Sequence, residues 1–361
     1  VPEPRFATRR RQAGASLSAR KLDALIVSAA PNIRYLSGFT GSNGLVLLWP
    51  EGAVLFTDPR YAVQAAGETD CTVSVARGPL YPALIKLAAR KRLRRLGFEE
   101  SRLSYGAYEH LREQLTLGAS LRPAAGLIES LRMVKSEHEI DLIRRSVALN
   151  SEAYERAIGK VRPGNSESSL AADIDFQMRL LGAERTAFDT IVASGARSAL
   201  PHAQPTADAI RHNQLLLVDM GASREGYASD MTRMAFLGRP GRRVRNAYRA
   251  VLEAQLAAIG SVRPGVAAGN VDRAARRVLR AAGMEKAFVH STGHGLGLEI
   301  HEAPRLGKRE ETPLAAGMVI TIEPGVYFEG FGGIRIEDTV VVTSSGCEVL
   351  TSTSKELLLL D

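Results

Sequence analysis

Leu215-Leu216-Leu217-Val218-Asp219-Met220-Gly221 is an apolar run that carries a single acid, and the chain returns through Ala228-Ser229-Asp230-Met231-Thr232-Arg233 with a second. Short apolar runs separated by turn glycines, here Gly221 and Gly226, read as the arms of a β-hairpin. The same arrangement recurs in Met318 to Val342. Ile320-Thr321-Ile322-Glu323-Pro324-Gly325 leads out, Gly330-Phe331-Gly332-Gly333 turns, and Gly333-Ile334-Arg335-Ile336-Glu337-Asp338-Thr339 comes back. Each hairpin therefore has one acid on each arm, and each acid is expected inside an apolar strand. A carboxylate is buried at high cost unless it is paired or metal-bound. Arg335 is the clearest basic residue within these strands, and one arginine cannot neutralise four carboxylates. Metal ions can.

A fifth donor stands nearby in sequence. His294 lies in Ser291-Thr292-Gly293-His294-Gly295-Leu296-Gly297-Leu298-Glu299-Ile300-His301-Glu302, where flanking glycines permit close backbone approach and a strand-like alternation reaches His301. One histidine with four carboxylates is a hard, oxygen-rich set. It suits two divalent ions, Mn²⁺ first, with Co²⁺ or Zn²⁺ as alternatives, bridged by two of the carboxylates at a separation of roughly 3.5–4 Å. Gly293, Gly295 and Gly297 do not match a dinucleotide-binding G-x-G-x-x-G, and no Gly-x-Ser-x-Gly nucleophile motif occurs.

Helical segments surround the hairpins. Ser136 and Glu139 form a capping box that opens a helix from about Glu137 to Lys160, ended by Arg162-Pro163-Gly164. A second helix follows Ser166, a third lies between Arg242 and Gly260, and a fourth between Asn270 and Ala282. The first third of the chain is different. Ala24 to Val27, Gly44 to Leu48 and Ala53 to Phe56 are strand-like, and Leu80 to Arg94 is an amphipathic helix, so this part reads as an α/β unit. Pro31 and the later glycines mark Asn32-Ile33-Arg34-Tyr35-Leu36-Ser37-Gly38-Phe39 as a loop or turn. Leu121 to Gly126 looks like a boundary, which gives domains at 1–128 and 129–361.

With 361 residues, 45% hydrophobic and 24% charged, the chain is long enough for two packed domains. Its two cysteines, Cys71 and Cys347, make no disulfide framework and fit a reducing cytoplasm. No stretch reaches the ~20 apolar residues that span a bilayer, and no apolar core of a leader follows Val1 to Arg11, so no membrane association is expected. The net charge of +8 is spread over separate clusters, such as Arg9 to Arg11, Arg90 to Arg95 and Arg242 to Arg245, without interleaved aromatics. These read as solvated helix faces rather than a nucleic-acid groove.

Asp219, Asp230, His294, Glu323 and Glu337, in these contexts and at this spacing, resemble the ligands of the pita-bread metallopeptidases, the family of methionine aminopeptidases, Xaa-Pro aminopeptidases and prolidases. The resemblance runs from about Leu131 to the C-terminus, and the ligand set is complete. The segment around Asn32 to Phe39 resembles the extra N-terminal domain of Xaa-Pro peptidases and creatinases. The fold implied is an α/β N-terminal domain followed by an α+β pita-bread domain. By the same resemblance Asp219 would chelate one ion and His294 and Glu323 the other, while Asp230 and Glu337 bridge them and hold a shared water or hydroxide. Glu323 would accept that water's proton, and His202 and His301 would hydrogen-bond the substrate's peptide group. His290 and Tyr327 match positions bordering the proline pocket. Arg335 matches an arginine near Glu337, where it could instead serve as counter-ion to Asp338 or Glu337. Arg305 matches a clamp for a dipeptide's free carboxylate. The implied activity is removal of an N-terminal residue ahead of proline from peptides, as a Xaa-Pro aminopeptidase, with prolidase as the alternative and a homodimer as the usual assembly. Creatinase lacks the metals. Peptidase-like modules that have become nucleic-acid or protein binders have lost the ligand set, so its retention here argues for an enzyme.

Overall fold

The computed structural model describes residues 5–115 and 118–361, which fall in two compact units that divide between Arg132 and Met133. In the first unit, helix α1 (Arg5–Ala19) precedes strand β1 (Ala24–Val27), helix α2 (Ala30–Ser37), β2 (Gly44–Trp49), β3 (Gly52–Thr57), α3 (Ala62–Glu68), β4 (Thr72–Val75), α4 (Leu80–Arg90), β5 (Arg95–Phe98), α5 (Tyr105–Gln114) and β6 (Ser120–Pro123). The strands form one mixed sheet in the order β4-β3-β2-β1-β5-β6. All four residues of β1 are buried, which explains a continuous apolar run where a half-exposed strand would alternate.

Helix α2 corrects the expectation of a loop at Asn32 to Phe39. Pro31 sits in its first turn and Gly38 closes it at φ 81°. Proline at the start and a left-handed glycine just past the end are helix boundary signals, and between them Ile33 and Leu36 turn inward. A Cβ on Gly38 would lie 2.7 Å from the Glu68 carbonyl, so only glycine fits.

The second unit follows helix α6 (Leu127–Met133) with α7 (Glu137–Ile158) and α8 (Glu167–Leu180). The capping box read at Ser136 is formed, and the structure adds a second at Ser166, each serine accepting from the backbone N–H three residues on. Strands β7 (Arg185–Thr186), β8 (Ile191–Ser194), β9 (Gln214–Met220), β10 (Ala222–Arg224), β11 (Tyr227–Ala228) and β12 (Met231–Leu237) come next, then helices α9 (Arg242–Ser261) and α10 (Ala268–Ala281). The chain ends with β13 (Gly293–Gly295), β14 (Glu302–Leu306), β15 (Val319–Ile322), β16 (Gly325–Phe328), β17 (Gly332–Arg335), β18 (Asp338–Val342), β19 (Cys347–Val349) and β20 (Leu358–Leu360). Among the described residues, no helix is long and apolar enough to cross a membrane.

Two sheets carry the candidate residues. One has the order β20-β12-β9-β8 and the other β14-β13-β15-β18-β19. Strand β9 is buried on both faces. Leu216 and Val218 join a core with α7 and α8, whereas Leu215 and Leu217 join one with α9, α10 and the second sheet. Burying each of these side chains contributes roughly 1.5–3 kcal/mol, enough for the strand to form although it carries an acid. Alternation places Asp219 on the side of Leu215 and Leu217, toward the second sheet.

Candidate metal centre

The five expected donors converge, but only Asp219 and His294 lie within strands. Asp230 immediately precedes β12, Glu323 immediately follows β15, and Glu337 sits between β17 and β18. This corrects the reading of four acids inside strands. Past the ends of their ladders these three side chains can turn toward the point that Asp219 reaches from within its paired strand.

His294 is held by its neighbours' lack of side chains. A Cβ on Gly293 would fall 1.9 Å from the Thr321 carbonyl oxygen, and one on Gly295 would fall 2.3 Å from that of Ala303. The imidazole Nδ1 faces the Gly295 carbonyl at 3.1 Å, which assigns it the proton and leaves the Nε2 lone pair 3.5 Å from Glu323 Oε1 and 3.6 Å from Asp230 Oδ2. Burial, helped by nearby His301, holds His294 down at about 4, so the ring is neutral. Asp230, His294 and Glu337 each offer an atom within 4.8 Å of the others.

The acids are under-compensated. Burial, then the neighbouring carboxylates, push Asp230 and Glu337 well above the usual carboxylate range, and burial lifts Glu323 to about 7. Arg335 Nη2 donates to Asp219 Oδ2 at 2.6 Å, while buried Asp219 Oδ1 has no hydrogen-bond partner among the described residues. An orphaned carboxylate oxygen, a neutral imidazole lone pair and three crowded acids form a donor set that fits divalent cations.

These groups line a cleft of about 580 Å³ together with His202, His290, His301, Arg305 and Arg335. His301 lies in a bend just before β14, outside the expected alternation, and its ring meets that of His294 edge-on at 4.4 Å. Tyr327 is the exception. It is not among the residues lining the cleft, but its hydroxyl lies 2.9 Å from His290 Nε2 and accepts from Arg335 Nη1 at 2.7 Å, so it braces His290. Arg335 also donates to Thr232 Oγ1 and to the Pro201 carbonyl, tying Asp219 to the loop that carries His202. It is not the counter-ion of Asp338, which Arg233 and Lys355 hold at 2.7 and 2.5 Å.

Sequence reasoning missed two supports. Thr232 Oγ1 donates to Glu337 Oε2 at 2.7 Å, which the alternation following Asp230 could have signalled. Glu167 is fully buried and accepts from Ser194 N and Oγ, Arg197 Nε, and Thr206 N and Oγ1, pinning both ends of the His202 loop. In the sequence it is merely the first residue after a cap.

Residues 141–344 match Metallopeptidase family M24, and residues 9–134 match the Creatinase/Prolidase N-terminal domain. The Xaa-Pro dipeptidase of Pyrococcus horikoshii is 37% identical over 340 residues, 93% of this chain and 95% of that protein. The solved structure of a Xaa-Pro dipeptidase from Bacillus anthracis aligns with TM-score 0.96 at 36% identity, covering 98% of this chain and 100% of the other. That of an X-Pro aminopeptidase from Thermotoga maritima aligns with TM-score 0.89, also at 36% identity, covering 95% and 99%. The expected architecture, an α/β unit ahead of a pita-bread unit, is the one present.

Proposed function

The chain belongs to metallopeptidase family M24, and from that premise we propose that it is a two-metal Xaa-Pro dipeptidase, a prolidase. This reverses the preference for an aminopeptidase drawn from the sequence. The observation that carries it is Arg305, which pairs across β13 and β14 with His294 and lines the same cleft. Residues directly opposite in a ladder project on one face. A guanidinium on the same face as His294 and in the same cleft complements the free carboxylate that a dipeptide bears one residue beyond the scissile bond. The relatives named as Xaa-Pro dipeptidases support the same reading.

Asp219, Asp230, His294, Glu323 and Glu337 would hold the two ions, Mn²⁺ before Co²⁺ or Zn²⁺. When bound, such ions supply Lewis acidity toward a carbonyl and lower the pKa of water. Glu323 accepts the proton of the attacking water and returns it to the departing proline nitrogen, which has no N–H of its own until then. His202 and His301 hydrogen-bond the peptide oxygen as it gains charge. His290, held by Tyr327, borders the proline ring.

The test strips metal with a chelator, restores Mn²⁺, and compares Xaa-Pro dipeptides, their C-terminal amides and Xaa-Pro-Yaa tripeptides. The dipeptides should be cleaved best. Arg305→Ala should lower kcat/KM for dipeptides by roughly 10- to 100-fold, the value of a charge-assisted hydrogen bond, mostly through KM, and leave the amides unchanged. Tripeptides cleaved as well as dipeptides, with Arg305→Ala neutral on both, would return the assignment to an aminopeptidase.

A further inference from the structure

Asp230 and Glu337 immediately precede β12 and β18, which belong to different sheets and share no ladder. They are joined instead by a local set of bonds. Glu337 N donates to the Thr232 carbonyl at 3.2 Å, and Thr339 Oγ1 donates to the Asp230 carbonyl at 2.9 Å. Between these lies Arg233. Its Nη1 donates to the carbonyls of Thr232 (3.0 Å) and Glu337 (2.5 Å), and its Nη2 donates to Asp338 Oδ1 and the Thr353 carbonyl, both at 2.7 Å. The other oxygen of Asp338 accepts from Gln255 Nε2 on α9 at 2.8 Å and from Lys355 Nζ at 2.5 Å. Tyr248 on α9 donates to the Lys355 carbonyl at 2.5 Å, so helix and C-terminal segment close around the pair.

This ion pair does not face the cleft. Arg233 is 2% exposed and Asp338 0%. Neither belongs to the residues lining the site. Burying two charges costs several kcal/mol each before their attraction is counted, and a well-packed apolar pair is often as stable or more so. Arg233 Nε, moreover, has no partner among the described residues. Stability alone therefore accounts poorly for the pair. Its geometry accounts for it better, because the guanidinium fixes the backbone of Thr232 and Glu337 at one distance while both strands are anchored from behind.

We propose that Arg233 and Asp338 are positioning residues that set the spacing of the Asp230 and Glu337 carboxylates, and through it the affinity for the metal pair, with Lys355 as the outer stay. The inference rests on the reading that Asp230 and Glu337 are metal ligands.

The experiment is Mn²⁺ titration calorimetry on the parent, Arg233→Lys, Asp338→Asn, Lys355→Met and Asp230→Asn, well below each protein's melting temperature. Outer supports of metal ligands typically matter by 10- to 100-fold in affinity. Arg233→Lys and Asp338→Asn should weaken the looser Mn²⁺ by about that factor, and Lys355→Met, which is partly exposed, by a few-fold. Peptidase activity lost at limiting Mn²⁺ should return at high Mn²⁺. A merely structural role would lower the melting temperature and leave the affinity of the folded protein alone. Should Arg233→Lys fail to fold, the isosteric Asp338→Asn and the peripheral Lys355→Met still decide. Parent-like affinity in those two, with an ion lost in Asp230→Asn, overturns the positioning role while the ligand assignment stands. Parent-like binding in Asp230→Asn overturns the ligand assignment itself.

Discussion

Asp230→Asn removes peptidase activity and metal while leaving the fold intact, with kcat/KM falling by more than ~10³, about 4 kcal/mol of transition-state stabilisation. The substitution keeps shape and deletes charge. Asp230 is buried beside Glu337, Asp219 and Glu323, and each of these opposes its ionisation. An amide there relieves the repulsion, so the metal-free variant should unfold at the same urea concentration as the metal-free parent or a higher one. The difference appears on adding Mn²⁺. A ligand at about a thousand times its Kd stabilises the native state by roughly 4 kcal/mol, and the parent should show that gain where the variant does not. Urea denaturation with and without Mn²⁺, together with metal content by mass spectrometry, reads both halves. Full activity or parent-like metal content in the variant would refute the role given to Asp230.

The second large effect has the opposite sign on stability. Arg335→Met deletes the cation that contacts Asp219 Oδ2, Tyr327 Oη, Thr232 Oγ1 and the Pro201 carbonyl. Removing one partner from a buried ion pair costs roughly 3–5 kcal/mol, because the other charge is left uncompensated. The metal-free variant should lose that much. The deficit should shrink on adding Mn²⁺, since a cation beside Asp219 replaces part of what the guanidinium supplied. A loss below about 1 kcal/mol in the metal-free form, on the scale of an exposed pair, would contradict the placement of Arg335 at the base of the site.

Several features were legible because one physical cause dominated them. The run Leu215 to Val218 is apolar at every position because it is buried on both faces, and an acid following it demanded a counter-charge from elsewhere. The glycines around His294 signalled backbone contact, and the structure puts Thr321 and Ala303 where side chains would otherwise be. Membership of family M24 and its two-part architecture were thus within reach of the letters.

Other features depended on distance in sequence. Asn32 to Phe39 reads as a loop because Pro31 and Gly38 serve turns and helix ends equally well, and only packing of Ile33 and Leu36 distinguishes them. Arg233 and Asp338 are 105 positions apart, and so are Thr232 and Glu337, so no local pattern announces either pair. The contacts of the Tyr327 hydroxyl with His290 and Arg335 span 37 and 8 residues, and no local pattern announces them. Glu167 was hidden for a similar reason, its partners lying 27 to 39 residues away.

Anomalous diffraction from a crystal of the parent protein grown with Mn²⁺ tests the metal assignment most directly. Two peaks roughly 3.5–4 Å apart are expected, with Asp230 and Glu337 between them, Asp219 on one ion, and His294 and Glu323 on the other. Anomalous density absent from this cluster, or a Mn²⁺ bound elsewhere in a protein that still hydrolyses Xaa-Pro peptides, would contradict it.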